Sequence, residues 1–215
     1  MGKSKFLPYL CFAFLLGTLV RDLAGETRKE TAVSYIEMGD KWVQLGDFRR
    51  AVAAYNISIQ FDPDLAVAYF KRGFAQQALG DFSKATADYS RAIDINPKLT
   101  PALFNRGNLR LNEGDFDGAL TDFDSALKTD PNYVAAYNNR GITRIGKGDI
   151  EGAIADFSEA IKINSHYTEA YVNRGFAQLQ QRMNAKAERD FERSIALRPS
   201  LRRLIETRIV QISQQ

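Results

Sequence analysis

Side chains able to do covalent or metal chemistry are scarce in this sequence. It has one cysteine, Cys11, and one histidine, His166. Zinc and copper sites draw on clusters of Cys and His, so no metal site is expected. The same scarcity removes cysteine nucleophiles and serine–histidine triads. Carboxylates occur in close pairs, Asp115 with Asp117 and Asp122 with Asp124. Residues one or two apart on a helix do not face each other, so these pairs read as solvated faces, not acid–base dyads. The loops Gly114-Asp115 and Gly146-Lys147-Gly148 do not extend into a phosphate loop ending in Gly-Lys-Ser/Thr. With no assembled catalytic site, the chain is read as a non-enzyme without a cofactor.

Two rows of polar residues remain. Arg72, Arg106, Arg140 and Arg174 recur every 34 residues, and Asp88, Asp122, Asp156 and Asp190 follow them by sixteen. Met38 and Ala54 hold the corresponding places nearer the N-terminus, so both partners are missing there together. That joint presence and absence points to structural ion pairs within one repeat. Pairing across repeats, with Asp190 meeting Arg208, is the alternative. Such pairs fix geometry more surely than they add stability. The second row is Asn105, Asn139 and Asn173, with Lys71 at the matching place. An amide both donates and accepts, so it can bond a peptide main chain of any sequence.

The elements that carry these rows repeat as well. Gly46-Asp47-Phe48, Gly80-Asp81-Phe82, Gly114-Asp115-Phe116 and Gly148-Asp149-Ile150 share the 34-residue spacing, as do Asp62-Pro63, Asn96-Pro97 and Asp130-Pro131. Each period holds two helical patterns. The first carries Tyr35, Tyr69, Leu103, Tyr137 or Tyr171, then, four residues on, Gly39, Gly73, Gly107, Gly141 or Gly175. A helical glycine costs about 1 kcal/mol against alanine, so five in register need a packing reason. The second helix answers with Ala51, Ala85, Ala119, Ala153 and Ala187, and four later with Tyr55, Tyr89, Phe123, Phe157 and Phe191. The Gly-Asp turn is expected to end the first helix and N-cap the second, and the proline to stop the second.

This pattern resembles the tetratricopeptide-repeat (TPR) family, in a bacterial-type form with an Asn-Arg-Gly core. The resemblance covers residues 32–201 as repeats 32–65, 66–99, 100–133, 134–167 and 168–201. It implies an all-α fold, an α-solenoid of five helical hairpins, with 202–215 as a C-terminal capping helix. Two departures stand out. Ser165 replaces a proline, which suggests a smoother join there, and Arg182-Met183-Asn184 replaces Gly-Asp-Phe.

In that family the first helices line a binding groove. The resemblance places Phe70, Lys71, Phe74, Phe104, Asn105, Asn108, Asn138, Asn139, Ile142, Ile145, Val172, Asn173, Phe176 and Leu179 in it. The carboxylate clamp of co-chaperone repeats needs basic residues at places that hold Ile36, Phe70, Pro101, Phe104, Ala135, Glu169 and Val172. Chaperone tails are therefore not the expected ligand. The function implied is a non-catalytic scaffold or adaptor holding a protein or peptide segment. A structural assembly factor or membrane-tethered subunit, and a carrier of a small hydrophobic ligand, are the alternatives.

The first 25 residues read as an address. Lys3 and Lys5 precede an apolar run, 6–20, that Arg21 ends. A membrane span needs about 20 apolar residues, so this run suits a signal peptide cut before Glu26, or else an N-terminal anchor. Residues 26–31 read as a short linker. The protein is accordingly expected to be exported, periplasmic or secreted. Membrane contact is confined to 6–20 if that segment is retained. The formal net charge of +3 lies mostly in the termini, and the near-neutral body does not suit a nucleic acid. Partner identity and oligomeric state are open at this level.

Overall fold

The computed structural model describes residues 7–213, with side chains over 25–212. Among the described residues there are eleven α-helices and no strand, the all-helical fold expected from the sequence. The chain divides into two compact units, residues 1–96 and 97–215. The N-terminal unit holds α1 (Leu7–Gln44), α2 (Phe48–Phe61), α3 (Ala66–Ala78) and α4 (Phe82–Ile95). The C-terminal unit holds α5 (Thr100–Glu113), α6 (Phe116–Thr129), α7 (Val134–Gly146), α8 (Ile150–Ile163), α9 (Thr168–Gln180) and α10 (Asn184–Leu197), then a 3-10 turn, Pro199–Leu201, and α11 (Arg202–Ser213). Consecutive helices pair as hairpins: α1 with α2, α3 with α4, and so on to α9 with α10. No described helix is long and apolar enough to cross a membrane. Residues 1–6 and 214–215 of the leader and cap lie outside the described range.

The expected linker at 26–31 is helical and continues α1. The reason is local. Thr27-Arg28-Lys29-Glu30 holds no helix breaker, and Ala32 just beyond is fully buried, its carbonyl accepting from Ser58 Oγ at 2.8 Å. Packing on α2 therefore holds the helix from this point onward.

The turn inside each hairpin needs a left-handed residue. Gly46, Gly80, Gly114 and Gly148 have φ of +75° to +84°. At the fifth turn Arg182 adopts φ +58°. Its backbone bonds match those of the first turn: Arg182 N donates to Leu179 O and Met183 N to Gln178 O, as Gly46 N does to Val43 O and Asp47 N to Trp42 O. The degenerate sequence thus keeps the turn at the expense of an unfavourable backbone. Asp47, Asp115 and Asp149 cap the following helices, each accepting from the backbone N–H three residues on. Asp81 does not cap; its carboxylate takes Lys84 Nζ at 2.8 Å instead.

Between hairpins the second helix ends on an extended residue. Asp62, Asn96, Asp130 and Asn164 all have φ near −130° and ψ near +95°. Asn164 does so without a following proline. There Asn164 Oδ1 accepts from His166 N at 2.9 Å, as Asp62 does from Asp64 N and Asp130 from Asn132 N. The side-chain bond sets this turn. Ser165 therefore leaves the join unchanged, contrary to the smoother join expected.

The core of each hairpin is an aromatic ring laid on a glycine. A Cβ at Gly39, Gly73, Gly107, Gly141 or Gly175 would lie 2.3–2.9 Å from the Cε1 atom of Tyr55, Tyr89, Phe123, Phe157 or Phe191. Those rings are 0–5% exposed. The glycine thus makes room for the ring itself, and the fully buried Ala51, Ala85, Ala119, Ala153 and Ala187 let the second helix lie close.

Candidate peptide-binding face

The arginine row is spent on holding hairpins together. Arg72 reaches Asp88 through Nε (2.7 Å) and Nη2 (2.6 Å). Arg106 meets Asp122 at 3.0 and 2.7 Å, Arg140 meets Asp156 at 3.0 and 2.6 Å, and Arg174 meets Asp190 at 2.7 Å twice. All four are two-pronged and lie within one hairpin, and the aspartates are buried. The third arginine nitrogen adds a bond across repeats. Nη1 donates to Asn56 from Arg72, to Asp124 from Arg140 and to Ser158 from Arg174, each partner sixteen residues earlier. Within-hairpin and cross-repeat pairing therefore coexist. Asp190 does not meet Arg208, whose guanidinium sits 5.5 Å from the Phe176 ring.

Burial alone would lower the Arg140 pKa, but the bonds from Asp156 and Asp124 overcome it and hold the group above its ordinary value. For Arg72 the bond to Asp88 dominates and acts in the same direction. Sequence reading missed Arg110 and Arg144. Each places Nη1 on the aspartate already held, 2.9 Å from Asp122 and 2.8 Å from Asp156. Their own 34-residue spacing was the available signal. Gln76 and Gln178 stand at the same place in their repeats, each with a buried Oε1 lacking a hydrogen-bond partner.

In the N-terminal unit, Lys71 Nζ binds both oxygens of Asp40, at 2.7 and 2.8 Å. Tyr55 Oη donates to the same carboxylate at 2.8 Å. Burial first, then this bond, raises the Tyr55 pKa. Phe70 lies 6.0 Å from the Tyr89 ring, while Phe74 is 44% exposed. Of the expected lining here, only Phe74 offers its ring openly to solvent.

In the C-terminal unit, α5, α7 and α9 lie side by side. Asn173 Nδ2 donates to Asn138 Oδ1 (2.9 Å), Asn138 Nδ2 to Asn139 Oδ1 (3.0 Å), and Asn139 Nδ2 to Asn108 Oδ1 (2.7 Å). Four amides thus form one chain across three first helices. The link Asn139–Asn108 spans 31 residues, the same offset as Lys71–Asp40. The two links occupy equivalent places with different chemistry. Asn105, on α5, is half-buried.

The expected apolar lining packs largely against the core, with Ile142, Val172 and Leu179 also edging openings to solvent. Ile142 and Ile145 pack on the Phe157 cluster; Val172, Phe176 and Leu179 pack on Phe191 and Ile205. Phe104 lies 4.8 Å from the Tyr133 ring and 6.0 Å from Phe123. What opens to solvent is a pocket of about 260 Å³ between Ile142, Val172, Leu201 and Leu204, with Asn138 and Asn173 at its edge. Arg198 and Glu169 close its rim as a pair at 2.9 Å.

Models of the tetratricopeptide repeat match residues 39–80, 66–99, 104–168 and 168–201. The chain carries tetratricopeptide repeats. Among solved structures it is similar to MamA from Desulfovibrio magneticus RS-1, residues 41 to the end, at 17% identity and TM-score 0.73, over 80% of this chain and 97% of that one. It is also similar to YrrB, described as a TPR protein with an unusual peptide-binding site, at 18% identity and TM-score 0.73, over 86% and 95%. A tetratricopeptide repeat protein from Parabacteroides merdae aligns at 22% identity and TM-score 0.70, over 79% and 68%. At these identities the likeness concerns the fold. No curated protein matches the sequence.

Proposed function

We propose that the protein is a non-catalytic scaffold that holds an extended segment of a partner protein along α5, α7 and α9. The observation that carries this is the amide chain Asn108–Asn139–Asn138–Asn173 beside an apolar pocket. Asn138 and Asn139 each use one donor and one acceptor on their neighbours, Asn108 one acceptor and Asn173 one donor; the half-buried Asn108, Asn139 and Asn173 keep N–H groups and lone pairs for a main chain. The neighbouring amides fix their orientation before the ligand arrives, which lowers the ordering cost of binding. The pocket beside Asn173 then accepts one aliphatic side chain. At about 260 Å³ it is below the usual size of a small-molecule site, which favours a peptide side chain over a carried hydrophobic ligand. YrrB, with its peptide-binding site, supports the reading by likeness of fold. A random-peptide display library panned against the purified protein tests it. Selected sequences should share one aliphatic position, and Leu204→Asp should abolish their capture.

Export is part of this proposal. Lys3, Lys5 and the apolar run 6–20 support a leader removed after Gly25. Because α1 is unbroken from Leu7 to Gln44, the cut requires local unwinding at Gly25. N-terminal sequencing of the mature protein should begin at Glu26; a chain retaining Lys3 would replace the leader by an anchor.

A further inference from the structure

Helix α11 stays in phase with the repeat. Ile205 follows Tyr171 by 34 residues and Arg208 follows Arg174 by 34. Ile205 is 1% exposed, deeper than Leu103 (3%) and Tyr171 (9%) at the matching place. α11 is thus placed as the first helix of a sixth hairpin. At the glycine position, however, stands Ile209. In each earlier hairpin a Cβ there would meet the second helix's ring within 2.9 Å. A second helix of the same kind cannot close on α11, and among the described residues nothing covers that side.

The uncovered side is a cleft of about 400 Å³ between the end of α9, α10 and α11. Its floor is apolar, built from Leu179, Phe191, Ile195, Ile205 and Ile209. Its rim carries Glu188, Glu192 and Glu206. Glu188 and Glu192 are exposed, one helical turn apart, and make no ion pair among the described residues. Among the described residues Glu206 pairs with Arg202 alone, at 3.8 Å. The basic residues of α10, Lys186, Arg189 and Arg193, share a different stripe of the helix.

We propose that this cleft is a docking seat for an amphipathic helix of a partner protein, with Lys or Arg flanking its apolar stripe. The reading goes beyond the peptide face on α5, α7 and α9 and does not depend on it. Helical walls from α10 and α11 flank an apolar floor on which the ridges of a third helix can lie. An extended strand would leave main-chain groups unpaired over this apolar floor, whereas a helix satisfies its own. The three carboxylates select basic flanks. Ile209 favours aliphatic or small side chains at the crossing point over aromatic ones.

The probe is a synthetic peptide of about sixteen residues, with Leu at helical i, i+3, i+4, i+7 spacing and Lys elsewhere. One control replaces every Lys by Glu; another scrambles the Lys peptide at equal composition. The Lys peptide should bind, and both controls should bind at least roughly tenfold more weakly. Glu188→Lys with Glu192→Lys should reverse the charge preference, while Asn139→Ala should leave binding unchanged. Should the charge-reversed protein fail to fold by circular dichroism, Glu188→Gln with Glu192→Gln replaces it, with the same weakening expected for the Lys peptide. Equal binding of Lys and Glu peptides, equal binding of the scramble, or unchanged affinity in the charge variants would overturn the proposal. So would a concentration-dependent dimer, seen by sedimentation without peptide and abolished by charge reversal, because the occupant would then be a second copy.

Discussion

The Arg140 guanidinium grips the Asp156 carboxylate with two nitrogens, Nε at 3.0 Å and Nη2 at 2.6 Å, and joins the two helices of one hairpin. Asp156 is 2% exposed, so removing its partner strands a buried charge. Arg140→Ala should destabilise by roughly 2–4 kcal/mol, at the low end because Arg144 still holds Asp156. Adding Asp156→Ala should cost little more, giving a coupling of about 1–3 kcal/mol in a double-mutant cycle by urea unfolding. Additive losses would remove the pair from the account.

Gly141→Ala probes the ring seat. The new Cβ would lie 2.6 Å from Phe157 Cε1, and the ring is fully buried with nowhere to retreat. A loss of about 1–3 kcal/mol is expected from overpacking. Phe157→Leu added to Gly141→Ala should cost less than it does alone, because the smaller side chain makes room for the methyl. Thermal midpoints of the four proteins measure this.

Arg182 is the natural test of the hairpin turn. It holds a left-handed backbone that glycine holds in the other four repeats. Arg182→Gly should stabilise by about 1 kcal/mol, since the φ strain is removed and the Arg182 side chain makes no hydrogen bond or ion pair among the described residues. A destabilised variant would show that the side chain contributes more than the backbone costs.

Alkaline pH should weaken the fold. Burial raises the pKa values of Tyr55, Tyr133 and Tyr167 above the ordinary 10.0, assisted by Asp40, Asp130 and Glu169. Groups with raised folded values stabilise fully below the unfolded pKa and lose that contribution as pH rises above it. The denaturation midpoint should therefore fall from about pH 10 upward. Tyr55→Phe should flatten that fall while lowering stability at neutral pH, because the bond to Asp40 is lost.

The hairpins were legible because their determinants are periodic. Gly141 and Phe157, or Arg140 and Asp156, each recur with the repeat, so the sequence displays the same contact several times. Residues that act once were harder to read. Thr27-Arg28-Lys29-Glu30 offers no period, and only packing of Ala32 on α2 shows that the helix runs through it. Ser165 was misread because the turn depends on the Asn164 side chain, which remains, and not on the missing proline. On the candidate face the 34-residue row pointed to Asn139 and Asn173 but not to their bonds, which run to Asn108 and Asn138. Position within a repeat says which helix face a residue shares. It does not say whether Phe176 faces solvent or turns onto Phe191, which lies 4.9 Å away.

The central claim is that the amide chain on α5, α7 and α9 holds a partner's main chain. Calorimetric affinity of one display-selected peptide, for the wild type and for Asn139→Ala, tests it most directly. Asn139 links Asn108 to Asn138, so its loss breaks the chain in the middle. Binding should weaken by about tenfold or more, near 1.4 kcal/mol, with the melting temperature little changed. Equal affinity for the two proteins would contradict the account.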